Sequence, residues 1–124
     1  MLKLVFIGIG GGIGSIFRYL ASIWTEKFFQ SDHYWATFGV NITGCLLIGF
    51  LSGLFDRNMN VSPEWKSLFI TGFCGGYTTF STFSAENLRL LQSGHVWTAV
   101  IYIAASIIVG LLAVWVGLLF SRYF

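Results

Sequence analysis

Four stretches of this chain are each apolar over about the 20 residues that a helix needs to cross roughly 30 Å of hydrocarbon. They run from Leu2 to Trp24, Tyr34 to Phe55, Ser67 to Leu88 and Val96 to Phe120. Charge barely interrupts them: Lys3 and Arg18 fall in the first, Glu86 in the third, and none in the other two. A water-facing surface is out of reach, since 10% of the 124 residues are charged against roughly a quarter in average usage. The predicted architecture is all-α and integral to a membrane, a single domain over residues 1–124 with four spans. The connections around Thr25–His33, Asp56–Lys66 and Arg89–His95 are too short for a soluble domain, so the function is expected to reside within the bilayer.

Met1-Leu2-Lys3 ahead of an apolar run is also how a secretory signal peptide begins. Three further spans follow and no small-x-small cleavage pattern closes the run, so the first helix is expected to be retained. Cys45 and Cys74 lie deep in spans and read as buried free thiols. Glycines crowd the first helix at positions 8, 10, 11, 12 and 14. The G-x-G-x-x-G spacing of a nucleotide loop is not met. The pairs Gly8/Gly12, Gly10/Gly14 and Gly11/Ser15 instead offer small-xxx-small faces for close helix packing. Arg18 follows them with two roles open to it: snorkelling to the interface, or raising anion concentration at a pore mouth.

Asn41, in the second span, brings two N–H donors and an acceptor into hydrocarbon, where an unpaired amide is costly. It serves either as interhelical glue or as a donor facing a wet path. The third span is the most informative. Gly72-Phe73-Cys74-Gly75-Gly76-Tyr77-Thr78-Thr79-Phe80-Ser81-Thr82-Phe83-Ser84 sets glycines and then five Ser/Thr hydroxyls at its centre. Glycines followed by β-branched threonines weaken a helix, so a break is predicted near residues 75–79. Backbone freed there needs protein or a wet cavity to meet it, and a bound cation is one such partner. Phe80 and Phe83 share a face. They face lipid, or border a pore with their electropositive edges toward an anion. Ser81, Thr82 and Ser84 would add hydroxyl donors. Glu86 is the one acid embedded in a span, either functional or simply hydrated near a helix end. Thr98, Tyr102 and Ser106 form a stripe on the fourth span, explained by core packing as well as by a pore, while Trp97 and Tyr123 sit where interfacial anchors belong.

The runs Gly11-Gly12-Ile13-Gly14-Ser15-Ile16-Phe17-Arg18-Tyr19, Gly39-Val40-Asn41-Ile42-Thr43-Gly44 and Gly75 through Ser84 together resemble the Fluc, or CrcB, family of fluoride channels over nearly the whole chain. The resemblance implies a multi-pass protein of the plasma membrane, the inner membrane in a bacterium, working as an antiparallel homodimer with two fluoride pores. By the same resemblance Asn41, Phe80, Phe83, Ser81, Thr82, Tyr102 and Ser106 line the fluoride path and Arg18 is the vestibule charge. A structural Na⁺ at the dimer interface would be held by the backbone carbonyls of Gly75 and Thr78. Tyr77 stands where many relatives carry Phe, which leaves those carbonyls unaffected. Partners are then fluoride, a second copy and lipid, with no nucleic acid.

Two rivals remain open at this level. A small proton-coupled multidrug exporter needs a membrane-embedded carboxylate, which would have to be Glu86. A purely structural membrane subunit would use the glycines as packing faces alone and carry no flux. An enzyme is least expected: His33 and His95 lie in separate loops, and no nucleophile and base stand at supporting spacing.

Four spans place Lys3, Arg57, Lys66 and Arg122 on one side and Lys27, Arg89 and Arg18 on the other, accounting for all seven basic residues. Four against three is almost no positive-inside bias, so orientation is weakly specified and insertion both ways is expected. Tags on the C-terminus should appear on both faces of the membrane; labelling confined to one face would rule out an antiparallel dimer.

Overall fold

The computed structural model describes residues 1–29 and 33–124, and among them every regular element is helical. In chain order these are α1 (Leu2–Glu26), α2 (Tyr34–Arg57), α3 (Pro63–Lys66), a π-wound stretch (Ser67–Cys74), α4 (Gly75–Tyr77), α5 (Phe80–Gln92) and α6 (Val96–Phe120), closed by a 3₁₀ turn at Ser121–Tyr123. Three helices are long and apolar enough to cross a membrane: α1, α2 and α6 with its closing turn. The third apolar stretch of the sequence is instead divided. Its first half runs without interruption from Pro63 to Tyr77, and its second half is α5.

The ends of these elements follow from their residues. Ser62 is extended and Pro63 takes the first helical position of α3, where its missing N–H is not needed. Glu64, in that first turn, has its carboxyl held below the usual range by a backbone amide and by the Ser62 hydroxyl. At the end of α5 the His95 amide bonds back to the Leu90 carbonyl at 2.8 Å and the Gly94 amide to Leu91 at 3.3 Å. Gly94 takes φ +83°, so this is a Schellman turn. It reverses the chain within three residues and lays α6 against α5.

Close backbone contact, rather than interlocking large side chains, fixes how α1 docks. A Cβ on Gly10 would fall inside the Leu68 carbonyl, and one on Gly14 inside the Phe73 carbonyl. Only a glycine face lets the first half of the divided segment come this near, close enough for Cα–H to carbonyl contacts. Gly8 and Gly12 meet nothing within 4 Å, so of the overlapping glycine pairs it is Gly10/Gly14 that docks within the chain. Phe17 against Phe73 (5.8 Å) and Phe6 against Trp65 (5.4 Å) flank the contact edge to face. The pair α2 and α6 repeats the device with Gly49 beneath Val114 and Gly117 beneath Leu46. It is locked at one end by Arg57, whose Nη2 donates to the buried Ser121 hydroxyl at 3.0 Å.

The break lies within the stretch 75–79 that the sequence marks, at its C-terminal end. Gly75 and Gly76 stay helical, and the chain departs from the helix only at Thr78 (φ −87°, ψ 161°) and Thr79 (φ −150°, ψ 119°). Gly76 has a packing task instead, because a Cβ there would strike the Gly11 carbonyl. The π winding over Ser67–Cys74 has no counterpart in the expectation: hydrophobic periodicity does not distinguish it from ordinary helix over eight residues.

Candidate functional site

Two consecutive extended residues leave a helix with amides and carbonyls that no turn closes. Here the amides and carbonyls of the extended pair Thr78–Thr79 itself all have identified partners, the Thr78 N–H donating to the Cys74 carbonyl at 3.1 Å. Asn41 on α2 reaches the break with both halves of its amide: Oδ1 accepts from the Thr79 N–H at 2.8 Å, and Nδ2 donates to the Thr79 carbonyl at 3.1 Å. It pairs with Thr79 as a neighbouring strand would. The Thr79 hydroxyl accepts from the Thr82 amide at 3.2 Å and so caps α5, the role that Thr fills well at a helix start. Arg18 of α1 donates from Nη1 to the Thr78 carbonyl at 3.1 Å. Tyr77 lies 2.9 Å from Thr43 Oγ1. The Thr43 proton is committed to the Gly39 carbonyl at 2.7 Å, so the phenol is the donor. Three successive residues, Tyr77 to Thr79, are thus tied to α1 and α2.

These ties carry a further consequence. In an unbroken helix the Thr79 amide would close on the Gly75 carbonyl and the Thr82 amide on the Thr78 carbonyl. Both amides are turned elsewhere, to Asn41 and to the Thr79 hydroxyl. The two carbonyls expected to hold a cation are therefore among those whose helical donors are diverted, and both Gly75 and Thr78 line the same cavity.

That cavity, of about 550 Å³, brings together Asn41, Thr79, Phe80, Phe83 and Ser106 from three elements. Phe80 and Phe83 stand with ring centroids 5.9 Å apart, and Phe80 is 79% exposed. Among the described residues the buried Ser106 hydroxyl has no hydrogen-bond partner. A second cavity, of about 220 Å³, lies across the break, with Arg18, Ser15, Ser22, Thr37, Thr79 and Thr82 among the residues around it. Thr79 lines both. The two expected groups of site residues therefore meet at one wall: Arg18 and Thr82 on one side, Asn41, Phe80, Phe83 and Ser106 on the other. Ser81 lies on the exposed face of the first turn of α5, its Oγ 3.4 Å from Thr79 Oγ1. Tyr102 borders neither cavity. It packs edge to face on Phe83 at 5.1 Å and joins the site through Glu86.

Glu86 is the residue that sequence reasoning left undecided. Its Oε1 accepts from the Thr37 hydroxyl at 2.6 Å and its Oε2 from the Tyr102 hydroxyl at 2.8 Å. A carboxylate inside an apolar segment is tolerable when both oxygens are met in this way. The lone acid was visible in the sequence; Thr37, 49 residues away, carried no signal as its partner.

Comparison with known proteins returns one family throughout. The family described as CrcB-like protein, Camphor Resistance (CrcB), matches residues 5–118. The chain is 47% identical over 122 residues to a fluoride-specific ion channel FluC of Flavobacterium psychrophilum, covering 98% of each chain. It is 46% identical to a protein of the same description from Azobacteroides pseudotrichonymphae, over the full length of both, and 41% identical to one from Acidobacterium capsulatum over 94% of each.

The Asn41 clamp gives a direct expectation. Asn41→Ala strands the amide and carbonyl of a buried Thr79, at about 1–3 kcal/mol for each unsatisfied group, so thermal unfolding in detergent should shift down by several degrees. Asn41→Asp keeps the acceptor and should lose less. Equal melting of wild type and Asn41→Ala would show that the clamp contributes nothing.

Proposed function

This chain belongs to the CrcB-like family, and we propose that it is a channel conducting fluoride passively across the membrane it spans, selecting against chloride. It is a multi-pass integral membrane protein by its long apolar helices and its family. The observation that carries the proposal is the pair of cavities sharing Thr79, one holding a guanidinium and hydroxyls, the other an amide, an unpaired hydroxyl and two phenyl rings. The relatives named as fluoride-specific channels supply the ion.

In this reading the divided segment also spans the membrane, third in chain order, with its break inside the bilayer, and the active unit is an antiparallel homodimer. Fluoride is small and holds its water strongly, so a path must replace hydration in steps without binding tightly. The hydroxyls of Ser81 and Thr82 meet the ion first; the remaining N–H of Asn41, the Ser106 hydroxyl and the ring edges of Phe80 and Phe83 take over. Tyr102 and Glu86 brace Phe83 from behind. No chemical step is involved. Hydrogen fluoride enters a cell as the neutral acid and dissociates in a less acidic cytoplasm. An inside-negative potential then drives the anion out, by about 2.3 kcal/mol per charge for each 100 mV.

A structural Na⁺ at the dimer centre is part of the proposal. The carbonyls of Gly75 and Thr78 suit it, being neutral hard oxygens whose helical donors are diverted, the kind of unwound backbone that commonly holds this ion. The Thr78 oxygen already accepts from Arg18, which leaves one lone pair for the cation. When bound, Na⁺ would supply positive charge between the two breaks. The exporter reading is weaker on this geometry, because both oxygens of Glu86 are engaged by hydroxyls rather than open to a cationic drug.

Purified protein in liposomes loaded with fluoride or chloride decides the matter by efflux at an ion-selective electrode. Fluoride should leave rapidly and chloride should stay. Phe80→Ile and Phe83→Ile should each lower fluoride efflux by about tenfold, equivalent to roughly 1.4 kcal/mol in the barrier, with the dimer intact by size exclusion. Rapid chloride loss, or no fluoride loss, contradicts the proposal.

A further inference from the structure

The first half of the divided segment ends inside apolar surroundings with its last carbonyls open, the negative end of a helix dipole with no turn to follow. In a soluble protein water would hydrate that end; hydrocarbon cannot. The Thr78 carbonyl meets a guanidinium instead, Arg18 Nη1 at 3.1 Å. The placement is built into α1. Arg18 stands four residues after Gly14 and eight after Gly10, so the three lie on one helical face. Gly10 and Gly14 are the positions where the α1 backbone rests on Leu68, Phe73 and Tyr77. The glycine face that docks α1 thereby sets Arg18 one turn further on, level with Thr78. An arginine bound for the interface would carry its head away from the protein to water; this one turns inward to a backbone oxygen.

We propose that Arg18 is a positioning residue of the break: a tethered cation that caps the first half-helix at Thr78 and holds the extended pair Thr78–Thr79 on which the Asn41, Phe80 and Phe83 cavity is built. It acts through a short hydrogen bond rather than through a field on arriving anions. The two modes separate experimentally. A vestibule charge is retained by lysine and is screened as the Debye length falls from about 10 Å at 0.1 M salt to about 3 Å at 1 M. A guanidinium cap depends on reach and fork geometry that lysine lacks, and salt does not relieve its loss.

The flux arm of the test rests on the channel reading; a spectroscopic arm does not. Arg18→Lys and Arg18→Gln are prepared with ¹³C at the threonine carbonyls, Thr78 being assigned by its loss in Thr78→Ser. The Thr78 carbonyl resonance should move in both variants while the other threonine carbonyls remote from the break stay in place. Fluoride efflux should fall about tenfold in both, as loss of a charged hydrogen bond implies, and by the same factor at low and high salt. Full efflux in Arg18→Lys with an unmoved Thr78 resonance overturns the proposal, as does a loss in Arg18→Gln that disappears at high salt. If wild type conducts no fluoride yet the Thr78 resonance moves on substitution, the channel reading fails and the cap stands. Arg18→Lys keeps charge and stem, so a folding failure of Arg18→Gln leaves the lysine variant to decide.

Discussion

Thr79 leaves the helix within an apolar segment, and its N–H and C=O have no water to turn to. Irregular backbone in such surroundings persists only where protein meets it group by group. The single side chain that satisfies both groups at once is Asn41, and the rest of the site follows from that pairing. With the Thr79 amide given to Asn41, the Gly75 carbonyl loses its helical donor. With the Thr79 hydroxyl capping α5, the Thr78 carbonyl loses its own. One residue thus takes the helical donors from two acceptors, in residues that line the larger cavity, and starts a new helix that carries Phe80 and Phe83 to its rim.

Rigidity around the break comes from backbone docking. Gly10 and Gly14 bring α1 onto the first half of the segment, and the Tyr77 and Thr43 hydroxyls tie its last turn to α2. α5, by contrast, is held by its cap, by the Schellman turn and by α6. Its outer face leaves Phe80, Ser81 and Thr82 exposed, the arrangement that a second subunit would complete in the proposed dimer. Behind that face, Phe83 rests on Tyr102 and Tyr102 on Glu86, so a half-buried carboxylate stands behind the ring at the cavity.

Much of this was legible in the sequence, unevenly and for physical reasons. Hydropathy fixed α6 at Val96–Phe120 to the residue and the starts of α1 and α2, with only their C-terminal ends extended by two residues each. Composition signals a break near residues 75–79, and it falls on Thr78 and Thr79, the threonines of that range rather than its glycines. In a packed segment Gly75 and Gly76 serve close approach, while two β-branched threonines adopt the extended backbone that suits them. The clamp itself is half legible: the sequence marks Asn41 as a polar group needing a partner, and the structure gives it Thr79 as that partner while the residue also lines the cavity. Arg18 to Thr78 and Glu86 to Thr37 join residues 60 and 49 apart. No periodicity encodes such pairs; they exist only once helices are docked. The π winding over Ser67–Cys74 is not legible either, because eight largely apolar residues show the same pattern in π and α winding.

The cavity and the proposed path both depend on the extended pair Thr78–Thr79 within one subunit, and the most direct measurement of that pair is the ¹³Cα and ¹³Cβ chemical shifts of these two residues in purified protein in bilayers. Both should show extended values between helical neighbours, Tyr77 before them and Phe80 after. Helical values running unbroken from Cys74 to Thr82 would contradict it, and with it the cavity, the diverted carbonyls and the path proposed along them.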